Sequence, residues 1–200
     1  MLARTFTLTA VAAASLLGGA AHAVPLSNTQ ILNQFNEVVL NNATSKSDID
    51  GRAWIGNTLN GGGYVGHADD TPASNYAGVT VRGSASGITV NKDGAVIGGS
   101  LSNSTINGGS SVIHGAVSNS NLNGPAYVAG ASSGSNFNGG HAALTGTLAT
   151  NDAAATSTNF GAQLGSLSTS LSKLASTGSS VSVSGGLARG ARPQALENCD

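Results

Sequence analysis

Charge is scarce in this chain: only 17 of its 200 residues are Lys, Arg, Asp or Glu, and the net charge is −1. So few scattered cations cannot neutralise a run of phosphates, which excludes a nucleic-acid binder held by backbone electrostatics. Aromatic residues are scarcer still, with four Phe, three Tyr and one Trp, too few for the bulky core of an ordinary globular domain. The single cysteine, Cys199, excludes an internal disulfide, so the fold must hold without covalent staples. No apolar run approaches the ~20 residues that a bilayer span requires.

What the chain has instead is small and polar: 29 Gly, 27 Ser, 19 Asn and 17 Thr. Such a composition belongs either to a disordered tract or to a repeat that demands small residues at fixed places. Disorder goes with low hydrophobicity and high net charge. With 40% hydrophobic residues and almost no net charge, the sequence fits a repeat.

The first 23 residues have the pattern of an export signal. One cation, Arg4, precedes the apolar stretch Phe6–Leu17, and Ala21-His22-Ala23 supplies the small residues of a cleavage site between Ala23 and Val24. Residues 1–23 are expected to be a signal peptide, and the mature chain to be exported as a monomer without a transmembrane segment.

From Val79 to about Thr150 the sequence repeats. Gly83, Gly99, Gly115, Gly130 and Gly146 fall at intervals of 16, 16, 15 and 16. Two residues before each stands Val81, Ile97, Ile113, Val128 or Leu144, and two residues after each stands Ala85, Leu101, Val117, Ser132 or Leu148. Val90, Ile106, Leu122 and Phe137 form a further row, each followed by an asparagine: Asn91, Asn107, Asn123 and Asn138. A less regular earlier copy runs through Trp54 and Gly56, with Val65 as its second anchor. A two-residue period around each glycine is that of strands. Sixteen residues cannot bury themselves, so successive copies must stack. The expectation is an all-β fold, a β-solenoid (β-helix) of about six short coils over residues 51–150, with aliphatic ladders inside and the asparagines at corners in left-handed backbone.

After the repeats the period changes. Phe160, Leu164, Leu167, Leu171 and Leu174 lie on one stripe of a helix over about 159–176, capped by Ser157, Thr158 or Asn159. About 24 Å of helix matches the height of six stacked coils at about 4.8 Å each. One α-helix is therefore expected along the side of the solenoid, and residues 187–200 are expected to be a disordered tail.

The segments Phe35-Asn36-Glu37-Val38-Val39-Leu40 and Ser47-Asp48-Ile49-Asp50-Gly51-Arg52-Ala53-Trp54-Ile55-Gly56 resemble the opening of the bacterial choice-of-anchor A domain, and the resemblance extends over roughly Ile31 to Gly186. Its sharpest part is Asp50-Gly51-Arg52, where Asp50 replaces the usual Glu, and Trp54-Ile55-Gly56-Asn57 stands for the family's Ala-Val-Gly-Gly. The resemblance implies an adhesive module similar to the ice-binding β-solenoid fold over residues 24–186, on a secreted or cell-surface protein; some members are described as collagen-binding. No Pro-Glu-Pro sorting motif or cell-wall anchor motif is visible, which leads us to expect a shortened chain or one released without an anchor.

Chemistry is thinly represented in the repeats. Arg82, Lys92, Asp93, His114 and His141 are their titratable residues, and they do not form the paired carboxylates of a polysaccharide-cleaving β-helix. His114 is expected outward and solvated. His67, Asp69 and Asp70 make the densest polar cluster, but they offer few ligands for a cation. No cofactor, metal site or catalytic residue is expected. Two surface ladders remain as candidate binding faces: Thr80, Val96, Val112, Tyr127 and Ala143, of modest apolarity, and Thr89, Thr105, Asn121 and Asn136, flat and polar. The leading expectation is a non-enzymatic adhesin that binds an extracellular matrix protein or polysaccharide. An ice-binding protein using the Thr/Asn face is the alternative, and a polysaccharide-active enzyme a lesser one.

Overall fold

The computed structural model describes residues 23–67, 69, 71–174, 180–184 and 187–191, the last two segments as backbone alone. The expected signal sequence, apart from Ala23, and Cys199 lie outside these residues.

Helix α1 (Asn28–Gln34) opens the described chain. Ser27 caps it reciprocally with Gln30, and Ile31 is its buried anchor. Six coils follow, each of one three-residue strand and two two-residue strands. The first holds β1 (Glu37–Val39), β2 (Ala43–Thr44) and β3 (Asp48–Ile49); the second β4 (Ala53–Ile55), β5 (Leu59–Asn60) and β6 (Gly63–Tyr64). After an insertion come β7 (Val79–Val81), β8 (Ala85–Ser86) and β9 (Thr89–Val90), then β10 (Ala95–Ile97), β11 (Leu101–Ser102) and β12 (Thr105–Ile106). The last two coils hold β13 (Ser111–Ile113), β14 (Val117–Ser118) and β15 (Asn121–Leu122), and β16 (Ala126–Val128), β17 (Ser132–Ser133) and β18 (Asn136–Phe137).

Strands in equivalent places pair in parallel, giving three six-stranded sheets: β1-β4-β7-β10-β13-β16, β2-β5-β8-β11-β14-β17 and β3-β6-β9-β12-β15-β18. The protein is thus a parallel β-solenoid with three faces. Its interior is a column of Ile55, Leu59, Val81, Val90, Ile97, Leu101, Ile106, Ile113, Val117 and Leu122, all buried. The six coils span residues 37–137, one coil earlier than the repeat boundaries expected from sequence. The first coil is hard to read because Glu37 occupies an inward position, paired with Ala53 of the next coil. Trp54 pairs with Thr80 and belongs to the outward row, so Ile55 is the inner anchor of the second coil.

Two rows of residues explain the spacing of the repeat. Gly99, Gly115 and Gly130 lie directly over the preceding glycine, and a Cβ on Gly115 would stand 2.6 Å from the carbonyl carbon of Gly99. These glycines are required by backbone-on-backbone contact. The left-handed corners lie elsewhere, at Gly61, Gly87, Asn103, Asn119 and Gly134. Asn91, Asn107, Asn123 and Asn138, expected in left-handed backbone, instead follow the strands of the third sheet. They form a bonded ladder in which each Nδ2 donates to the preceding Oδ1 at 2.6–3.3 Å. A second ladder runs through Ser104 and Ser120, whose hydroxyls accept from the backbone N–H of Ile88 and Ser104 at 3.2 and 3.1 Å.

The regular coil ends at Ala142. His141 bridges to Ala126 and its ring stacks on Phe137 at 4.2 Å, closing the core at that end. Gly146, the fifth glycine of the series, begins helix α2 (Gly146–Ser157), which the sequence reading placed in the last repeat. Helix α3 (Phe160–Ser172) follows, with Asn159 as its cap. Its N-terminal end docks: Phe160 is buried, Leu164 and Leu167 are half-buried, and Leu171 and Leu174 are exposed. The leucine stripe does not run down the solenoid; α2 holds that position. Beyond α3, β19 (Ser180–Ser184) and β20 (Leu187–Ala191) pair antiparallel, so the segment expected as a tail from 187 begins with a strand. Residues 192–200 lie outside the described residues.

Two predictions follow from this packing. Gly115→Ala drives a methyl into the Gly99 backbone and is expected to destabilise the fold by about 1–3 kcal/mol, read as a lowered urea midpoint at unchanged slope. Glu37 is partly buried at the inner edge of the first coil, and its Oε2 lacks a hydrogen-bond partner. Desolvation raises its carboxyl above the ordinary range. The fold therefore favours the neutral acid: the contribution is full below the ordinary carboxyl pKa and is lost as pH rises through the elevated value. Glu37→Gln is expected to stabilise the protein at pH 7 and change little at pH 3.5, measured by thermal melts at both.

Candidate functional site

The outward row of the first sheet is apolar, and three helices cover part of it. Val96 and Val112 meet Leu148 and Ala155 of α2, while Trp54, Phe35, Tyr76 and Phe160 form an aromatic cluster beside them. Trp54 stacks on Phe160 at 4.4 Å, and Phe35 meets Phe160 edge-on at 5.3 Å. Polar contacts fasten the cover. His114 Nε2 lies 2.7 Å from Asp152 Oδ1 on α2, and Arg82 Nη1 donates to the Ala155 carbonyl at 3.4 Å. The Tyr76 hydroxyl donates to Thr158 Oγ1 at 2.9 Å.

The first candidate face is therefore not a free surface. Thr80, Val96 and Val112 are buried, and Tyr127 is half-buried beside α2. Ala143 is exposed and out of the row; its place is taken by Ala142, whose N–H donates to the Ala126 carbonyl at 2.9 Å. The physical reason is hydrophobic: an outward row of valines is stabilised by cover, about 1.5–3 kcal/mol for each side chain fully buried. His114, expected to be solvated, is outward but paired to α2.

The second candidate face is open. Thr89, Thr105, Asn121 and Asn136 are in register along the third sheet. Thr105 is half-buried and the other three are exposed. Two residues further along each strand lies the ladder of Asn91, Asn107, Asn123 and Asn138. The rows are about 6.7 Å apart along the strands and about 4.8 Å from coil to coil, a flat lattice of hydroxyls and amides. Asn136 Nδ2 donates to Asn121 Oδ1 at 2.8 Å, which fixes the amides of the last two coils. At the other end Gly63 pairs with Thr89 and leaves a gap in the row. There Lys46, Asp48, Gly62, Gly87, Thr89 and Asn91 line an open depression of about 560 Å³.

The remaining polar residues form separate pairs. His67 Nδ1 stands 3.5 Å from Asp50, and Lys92 Nζ stands 3.5 Å from Asp69, all exposed; Asp70 lies outside the described residues. Asp93 is bound to Arg52, and Arg52 is the residue whose role the sequence least disclosed. It is 2% exposed. Its Nη2 donates to Asp93 Oδ2 at 3.1 Å, its Nε to the Ala77 carbonyl at 3.0 Å, and its Nη1 to the carbonyls of Pro72 at 3.1 Å and Gln34 at 3.4 Å. One guanidinium thus ties together the end of α1, the insertion between the second and third coils, and the corner before the fourth coil. Burial lowers its pKa, and Asp93 opposes that shift.

With this geometry in place, residues 28–197 match the family of ice-binding-like adhesive domains. The chain belongs to that family. No curated protein and no solved structure gives a significant match. The Asp50-Gly51-Arg52 segment of this adhesive domain acts as a structural clamp: Gly51 sits so close to Asn36 that a Cβ would collide with its side-chain amide, while Arg52 makes the contacts above. Among the described residues no helix is long and apolar enough to cross a membrane.

Removing the Arg52 side chain strands Asp93 and three carbonyls. Arg52→Ala is expected to cost about 3 kcal/mol, toward the lower end for a broken buried pair because Asp93 is partly solvated. Arg52→Lys should recover only part of this, since a lysine cannot reach four acceptors in a fork. Chemical denaturation of both variants checks the ordering.

Proposed function

We propose that the protein is a secreted or cell-surface adhesive module that binds an extended polysaccharide through the Thr/Asn face of its third sheet and catalyses no reaction. The observation that carries this reading is the pair of polar rows, held in register over four coils and open to solvent. Membership of an adhesive family supports it, as does the burial of the competing apolar row beneath α2. The face offers uncharged hydroxyls and amides, which both donate and accept and so suit sugar hydroxyls. The depression at its N-terminal end, edged by Lys46 and Asp48, extends the contact track beyond the flat lattice. A rigid face of this kind binds without an ordering cost of its own.

Contact with an ice surface is a second reading, favoured by the two-dimensional regularity of the same rows. It predicts thermal hysteresis at high protein concentration, whereas the adhesive reading predicts saturable retention on immobilised polysaccharide. The double variant Thr105→Lys, Asn121→Lys places two ammonium groups on the lattice without touching the core. It is expected to lower polysaccharide affinity at least tenfold with unchanged circular dichroism. Unaltered retention would remove the third sheet from consideration.

A further inference from the structure

We propose that the domain carries a second binding site, a cleft at the junction of α2 and α3 that takes the C-terminal carboxylate of a polypeptide ending in an apolar residue. The cleft holds about 350 Å³ between the turn after β1, the outward row of the first sheet and residues 155–161. That volume is of the size that small ligands occupy. Leu40, Trp54, Ala155 and Phe160 give it apolar walls, and Arg82 and Gly161 stand among them. No residue of the Thr/Asn rows lines it, so this site stands independently of the reading above.

Donors converge on this cleft and no acid answers them. Arg82 supplies the charge. Its one hydrogen bond among the described residues goes to the Ala155 carbonyl at 3.4 Å, a neutral group that leaves the guanidinium uncompensated. No Asp or Glu lines the cleft. Asp152 shares the adjoining cleft with Arg82, but its carboxylate is taken by His114 at 2.7 Å. The thirteen-residue helix α3 begins at the same place. Asn159 accepts from the N–H of Ala162, whereas the N–H groups of Phe160 and Gly161 make no hydrogen bond among the described residues. The first turn of α3 carries no acid, so the positive end of the helix is open to an acceptor. Gly161 keeps it bare, since a Cβ there would meet nothing of the protein nearer than Asn159 Oδ1 at 3.6 Å.

Trp54 is the independent sign that an acceptor belongs here. It is 8% exposed, and its Nε1 is buried without a hydrogen-bond partner. A buried indole N–H usually has one. A carboxylate has two oxygens with about four lone-pair sites, enough for the guanidinium fork, the helix end and the indole together. The walls then select what carries the carboxylate. Trp54 is stacked on Phe160 at 4.4 Å, so that ring face is closed to a sugar. Leu40 is 47% exposed and is stabilised by apolar cover. A chain terminus places an apolar side chain and a carboxylate on one carbon, and backbone N–H groups are a recognised means of capturing it.

Titration of the whole domain with N-acetyl-leucine tests the site, followed by calorimetry and by the fluorescence of Trp54. That residue is the single tryptophan of the chain, so its emission reports on this cleft. The expected result is millimolar binding with a saturable change in emission. N-acetyl-leucinamide, which lacks the charge, and acetate, which lacks the apolar side chain, should each bind at least tenfold more weakly. Arg82→Gln should weaken N-acetyl-leucine binding at least tenfold. Because Arg82 also touches α2, a second variant guards against a loosened helix. Thr156 is exposed and lines the cleft, and Thr156→Glu offers Arg82 a carboxylate from within the protein without altering the core. It should weaken binding at least tenfold with unchanged circular dichroism and an unchanged melting curve. No heat with N-acetyl-leucine, equal affinity for its amide or for acetate, heat without a change in Trp54 emission, or affinity indifferent to either variant overturns the proposal.

Discussion

The structure depends on the closeness of one coil to the next. Gly99 donates its N–H to the Gly83 carbonyl at 2.8 Å, and Gly115 does the same to Gly99. At that corner the backbones touch with no side chain between them. Every other position inherits the spacing, about 4.8 Å between equivalent residues. Like charges stacked at that distance repel, whereas asparagine and serine can donate to and accept from their own copies. The Asn91–Asn138 ladder and the Ser102 to Ser86 hydroxyl contact at 2.9 Å are instances. Scarcity of charge is thus a consequence of stacking, as is the abundance of Gly, Ser and Asn.

Stacking also decides which face is available for function. Three sheets leave three outward rows, and only that of the first sheet is apolar over most of its length: Trp54, Val96, Val112 and Tyr127. Such a row is either an interface or a place for the chain's own helices. In this protein α2 covers it, with α1 and the start of α3 beside it, and His114, Arg82, Arg52 and Tyr76 fasten the cover by polar contacts. Four of the chain's eight aromatic residues, Phe35, Trp54, Tyr76 and Phe160, are used in this way. The second and third sheets remain open, and the third presents the wider polar lattice.

The parts legible in the sequence were those in which one residue type recurs in phase. The glycine spacing of 16 gave the coil, and the aliphatic residues around it gave the inner column. Where the phase broke, reading failed for identifiable reasons. Coil one has Glu37 where its neighbours have Ala or Val, and coil two has an outward Trp54 that resembles an anchor by size. Helix α2 was hidden because its buried face is Leu148, Asn151, Ala154 and Ala155, too small to make an apolar stripe. Leu144, Gly146 and Leu148 also continue the repeat spacing by coincidence. The leucines of α3 made a clear helix, but a helical period says nothing about how far along its length the helix is docked. The residues of both ladders stand in register on their sheets, except that Ala142 and not Ala143 ends the first. Which ladder was exposed depended on α2, and so could not be read from the repeats.

The open face is not uniform, and the difference bears on how it would grip a polymer. Its first half carries Thr89 and Thr105, its second half Asn121 and Asn136. The amides of the second half are already bonded to one another, as are those of the neighbouring asparagine row, so part of their capacity is spent within the protein. The two threonine hydroxyls make no hydrogen bond among the described residues. Thr89 lines the depression left by Gly62, Gly63 and Gly87, and Thr105 follows it one coil on. On the proposed reading the specific contacts lie at the threonine end, where unpaired hydroxyls meet a concavity. The bonded asparagines supply a stiff, flat continuation that keeps the polymer in line. Each contact is weak, and affinity comes from several coils engaged at once at a fixed spacing, which is what a stack of rigid, nearly identical turns provides.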